Sequence, residues 1–94
     1  MTKKIPLTDQ DIRNSKRNNP TRCPLARLLR RAGFISPLVL PHLIQFTNRY
    51  GEATVLRTTK RARGWIQDFD NYRAWRFATL VLDNERGIAD LEEL

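Results

Sequence analysis

The spacing of apolar positions sets the first expectations. In "TRCPLARLLRRAG", residues 21–33, Leu25, Leu28, Leu29 and Ala32 stand at i, i+3, i+4 and i+7. That is the period of one buried helix face. Pro24 suits the first helical position, with Thr21 or Cys23 as cap, and Gly33 suits the left-handed position after the last turn. "TTKRARGWIQDFDN" repeats the pattern with Ala62, Trp65, Ile66 and Phe69, and Thr58 or Thr59 can cap it. Gly64 inside this segment weakens it by about 1 kcal/mol against alanine.

Elsewhere the period shortens. "HLIQFT" and "EATVLR" alternate as strands and are joined by "NRYG", a hairpin. "AWRFATLVL" alternates too: Trp75, Phe77, Thr79 and Val81 share one face, and Arg76, Ala78, Leu80 and Leu82 the other. "KKIPLT" predicts a first strand that Pro6 confines to a sheet edge. In "TDQDIRNSKRNN" Thr8 is an N-cap, with Asp11 in the third position of a capping box. The C-terminal "ERGIADLEEL" predicts a short helix or a loose end. The order β-α-α-β-β-α-β predicts an α+β fold: a largely antiparallel sheet of three to four strands with helices packed on one face.

Composition bounds the rest. The 94 residues, 40% hydrophobic and 29% charged, fit one globular domain rather than a disordered chain. No apolar run approaches the ~20 residues of a membrane span, and "MTKKIPLTDQ" lacks the apolar core of a secretory signal. With one cysteine and one histidine in the chain, neither a disulfide framework nor a usual zinc site is expected, and a reducing, cytoplasmic location is. Cys23 reads as a small buried residue at the helix entrance, with a low-pKa thiol as the alternative.

Charge changes the picture most. Lysine and arginine number 17 against 10 acids, a net of +7. Residues 83–94 carry five acids and one base, so residues 1–82 carry a net of +11. The expected organisation is therefore a basic domain over 1–82 and an acidic tail over 83–94, the tail screening the basic surface. Such a surface points to an anionic partner, a nucleotide or a nucleic acid, or to an acidic protein face. No membrane contact is expected, and a homo-oligomer is compatible with the pattern.

The cations form two clusters. Arg22, Arg27, Arg30 and Arg31 lie on the first helical segment, the last three opposite its apolar stripe. Arg30 and Arg31 fall in its last turn, where cations favour the helix dipole. Arg57, Thr58, Thr59, Lys60, Arg61 and Arg63, in "RTTKRAR", end a strand and open a helix. Cations there oppose the dipole, so an external phosphate is expected to offset them through free N–H groups, the two hydroxyls and the side chains. An ordinary solvated surface is the alternative for both clusters. Tyr50, Tyr72 and Trp75, near arginines, are candidates for stacking a base, with burial the expected fate of Trp75.

Catalytic constellations are weak. Asp68 and Asp70 are two apart on a helix and do not face each other. Asp11, Ser15 and His42 have no triad-like spacing, and phosphate loops and nucleophile elbows are absent. The expectation is no enzyme, no metal and no cofactor. A helix-turn-helix is disfavoured because Pro37 and Pro41 fall where a recognition helix would begin.

With these stretches in place, the chain resembles small proteins of bacteriophages and actinobacterial genomes. Their pattern is T-x-x-D-I, then C-P-[aliphatic]-A, then [FW]-I-x-x-F-D before an aromatic strand. Here it reads "TDQDI" (8–12), "CPLA" (23–26), "WIQDFD" (65–70) and "WRFATLVL" (75–82). The basic "LARLLRRAG" and the acidic end depart from the pattern, and the resemblance supplies no catalytic residues. It implies a phage accessory protein in the host cytoplasm. In that setting the expected role is a host-defence antagonist that sequesters a signalling nucleotide or blocks a nucleic-acid-guided effector. A DNA- or RNA-binding regulator, and an inhibitor of an acidic host protein face, are the alternatives.

Overall fold

A computed structural model describes residues 2–93; Met1 and Leu94, the outer ends of the expected domain and tail, lie outside the described residues. The elements are β1 (Thr2–Pro6), α1 (Asp9–Arg13), α2 (Pro24–Arg31), β2 (Ile35–Val39), β3 (Leu43–Thr47), β4 (Ala53–Thr58), α3 (Lys60–Asp70), β5 (Ala78–Asp83) and β6 (Ile88–Glu93). The class is α+β, but the expected three to four strands are corrected to six, in one curled mixed sheet of order β1-β5-β6-β4-β3-β2.

Two antiparallel halves compose this sheet. β2, β3 and β4 form a meander, and β1 pairs with the β5–β6 hairpin to form the other half. They meet where β4 runs parallel to β6, with only Arg57↔Ile88 and Thr58↔Ala89 in register. The connection between these parallel strands runs through α3 and β5, because two parallel strands cannot be joined by a tight turn.

The two extra strands were hidden for different reasons. β2, "ISPLV", contains Pro37, and Ser36 has φ +50. The register slips between Ile35 and Leu38. A proline and a bulge are tolerated because β2 is an edge strand, where one side of the ladder needs no partner. β6 carries the acidic end of the chain. The expected tail, helical or loose, is instead an inner strand between β5 and β4. Ala89 and Leu91 are buried while Ile88, Asp90 and Glu92 alternate on the other face. Period two was present, but the charges masked it.

The expected helices form where the stripes lie. Leu25, Leu28 and Leu29 of α2 and Ala62, Trp65, Ile66 and Phe69 of α3 share one core with Ile44, Phe46, Leu56, Leu80, Leu82 and Leu91 from the sheet. Ala32 packs at its margin. α1 is one turn long. Thr8 and Asp11 complete its capping box, Thr8 N–H donating to Asp11 Oδ2 at 2.9 Å and Asp11 N–H to Thr8 Oγ1 at 3.3 Å. β5 begins at Ala78, later than expected. Residues 71–77 therefore form a connecting segment, in which Phe77 is 38% exposed and Trp75 packs against the core. No helix among the described residues is long and apolar enough to cross a membrane.

Candidate anion site

The strand–helix junction "RTTKRAR" is built by Thr59. Its backbone is extended (φ −71, ψ 166), and its hydroxyl oxygen accepts from Ala62 N–H at 3.2 Å, so it caps α3. The same hydroxyl donates to Asp90 Oδ1 at 2.5 Å. Asp90 in turn holds Arg61 by two bonds, Nε to Oδ1 at 2.9 Å and Nη2 to Oδ2 at 2.7 Å. This paired arrangement pulls the Asp90 carboxyl down from 3.8 to about 2. The Arg61 hydrogen bond is the main cause; burial opposes it and Thr59 assists.

This overturns the premise that the cations at this helix end lack an anion. Asp90, 29 residues away in sequence from Arg61, supplies the negative charge that the dipole and Arg61 need. Arg61 and Thr59 thus fasten α3 to β6 beside the narrow parallel seam. Thr58 is also committed: it is buried, and its hydroxyl donates to Pro41 O at 2.6 Å. Its N–H donates to His42 O at 3.1 Å, which fixes the β2–β3 turn against the end of β4.

Arg57 and Arg63 remain. Their side chains make no hydrogen bond or ion pair among the described residues. Alternation on β4 sends Arg57 to the sheet face away from the core. There Arg57, Arg63 and His42 border an open hollow of about 440 Å³, with Leu43, Val55, Thr58 and Ile88 as its lining. Val55 is 56% exposed, so the floor is apolar and reachable. Lys60 is exposed but does not line this hollow. In the sequence His42 reads only as the residue after Pro41 that opens the strand "HLIQFT", with no local sign of this hollow.

The first cluster separates in the same way. Arg31 donates from Nε to Asp11 Oδ1 at 3.2 Å, from Nη2 to Asp11 Oδ2 at 2.9 Å and from Nη2 to Pro6 O at 2.8 Å. It ties α2 to α1 and β1. Burial pushes the Asp11 carboxyl up, but the bonds from Arg31 and Thr8 outweigh this and hold it below its ordinary value. Arg27 and Arg30 join Arg31 around a hollow of about 380 Å³ that also contains Asp11. A carboxylate in the wall makes this the poorer anion site. Arg22 is exposed at the entrance to α2 and lines neither hollow.

The remaining candidates fall into place. Burial raises the Cys23 thiol to about 11, so the thiolate is scarce at neutral pH. Ser15 donates to Ile12 O at 2.6 Å, and Asp11 and His42 border different hollows. Among the described residues no three His, Cys, Asp or Glu side chains gather into a metal site. No protein-family model, curated protein or solved structure matches the chain.

Proposed function

We propose that this protein binds a phosphate-bearing ligand without turning it over, in the hollow bordered by Arg57, Arg63 and His42. One observation carries the reading: two guanidinium groups without internal partners flank an apolar floor on an open sheet face. Guanidinium forks match phosphate oxygens, while Leu43, Val55 and Ile88 offer surface for a base or another flat apolar group. The two carboxylates with lowered pKa, Asp11 and Asp90, are locked in ion pairs rather than poised for proton transfer. That supports binding over catalysis.

The resemblance to phage proteins supplies a setting for this reading: the cytoplasm of an infected host, with the protein sequestering a signalling nucleotide or engaging the nucleic acid of a guided effector. Calorimetry over cyclic nucleotides, mononucleotides and short DNA and RNA tests it. Arg57→Ala and Arg63→Ala are expected to weaken binding at least about tenfold each, the scale of one charge-assisted contact. Arg27→Ala and Arg30→Ala are expected to change it less. No binding to any phosphate ligand refutes the reading and favours an acidic protein partner.

A further inference from the structure

The end of α3 breaks a rule that the end of α2 obeys. Both helices close with the same pair of backbone bonds. After α2, Gly33 N–H donates to Arg30 O and Phe34 N–H to Leu29 O, each at 3.0 Å, with Gly33 at φ +96. After α3, Tyr72 N–H donates to Phe69 O at 3.2 Å and Arg73 N–H to Asp68 O at 2.8 Å, with Tyr72 at φ +59. This left-handed position is where glycine is the usual residue. A bulky side chain is unfavourable there, and strain of this kind concentrates at functional positions.

The strain is matched by an unusual placement of the ring. Tyr72 is 78% exposed. The Arg17 guanidinium lies between two rings, 4.3 Å from the Phe69 centroid and 4.2 Å from that of Tyr72. Arg17 Nε donates to Phe69 O at 2.7 Å, which fixes the guanidinium in place. Arg17 therefore backs one face of Tyr72. The aromatic series continues inward: Phe69 meets Trp75 at 5.9 Å, and Trp75 meets Phe77 edge-on at 5.2 Å. Phe77 returns to the surface at 38% exposure. Arg73 and Arg76 are exposed between these rings in sequence. Arg73 is only 3.9 Å from Asp68, a loose pair, and the Arg76 side chain has no partner among the described residues.

We propose that residues 72–77 form a stacking shelf for single-stranded nucleic acid. Bases lie on the outer faces of Tyr72 and Phe77, and Arg73 and Arg76 meet the phosphates. Exposed aromatics interleaved with arginines are the chemistry that recognises an unpaired strand, since every base has a π-face and every linkage a negative charge. A duplex hides its base faces, and an acidic peptide offers none. The inference rests on the phosphate-ligand reading and names the ligand class, but it uses residues outside the Arg57–Arg63 hollow.

The test is fluorescence anisotropy with labelled dodecathymidylate and an abasic oligonucleotide of the same length. Wild type is expected to bind the thymidylate at least about tenfold more tightly. Tyr72→Gly places the usual residue at the helix end, so the fold is kept. It is expected to weaken thymidylate binding by roughly five- to a hundredfold, the measured range for losing one stacked base, and to leave abasic binding unchanged. Phe77→Ser is expected to act in the same direction. Equal binding of the two oligonucleotides, or no effect of either variant, overturns the shelf while leaving the phosphate reading intact. A mononucleotide bound through Arg57 and Arg63 with no oligonucleotide binding does the same. Failure of both oligonucleotides and of every mononucleotide overturns both.

Discussion

Asp90→Asn is the most informative single substitution, because one carboxylate serves the seam, the cap of α3 and the charge balance of the candidate site. Asp90 titrates at about 2 instead of 3.8, which by linkage is worth roughly 2 kcal/mol. Its partner Arg61 has a side chain 57% exposed, against 21% for Asp90. Solvent screens the pair, so its worth falls to about 1 kcal/mol or less. The folded-state pKa lies below the unfolded one, so this stabilisation is fully present well above 3.8 and is lost as the pH falls through 3.8 towards 2. Urea denaturation at constant ionic strength, stepped from neutral pH to about pH 3, measures it. Wild type is expected to exceed Asp90→Asn in stability at neutral pH, and the gap to shrink through the acid range. Asp11, whose carboxyl is also held low, titrates in the same region, but it is common to both proteins and cancels in the difference. A neutral-pH gap near zero, or one that does not narrow on acidification, refutes the assignment of Asp90 as the internal counter-anion. The Arg61→Ala and double variants complete a cycle that isolates the pair.

Other consequences are equally direct. Leu28 is fully buried, so Leu28→Ala is expected to cost about 2–5 kcal/mol, and an unchanged melting temperature contradicts its place in the core. Removing residues 88–93 deletes an inner strand and is expected to unfold the protein by circular dichroism. A folded product that binds polyanions more tightly would instead restore the view of this segment as a screening tail. Gly33 has φ +96 and nothing within 4 Å of an added Cβ, so Gly33→Ala is expected to cost about 1–2 kcal/mol from backbone strain alone, read as a shift in denaturation midpoint. The Cys23 thiol, buried and raised to about 11, is expected to resist an alkylating reagent at neutral pH in the native state and to react once the protein is denatured. Rapid labelling of the native protein contradicts its burial.

Local pattern determined a large share of this molecule. The stripes of α2 and α3, the β3–β4 hairpin, the Thr8 capping box and the Gly33 helix end were legible because each depends on residues a few positions apart. The sheet was not legible to the same degree. β2 hides a proline at an edge, and β6 hides a period-two strand beneath acidic side chains. Whether a segment such as β6 becomes an inner strand depends on a partner far along the chain, as with Thr58↔Ala89. The site divides along the same line. Sequence alone located both basic clusters, but it could not tell structural arginines from free ones. Only tertiary structure brings Asp11 to Arg31 across 20 residues and Asp90 to Arg61 across 29, leaving Arg57 and Arg63 to face solvent. A charge is paired in space, and the folded chain decides which residues share that space.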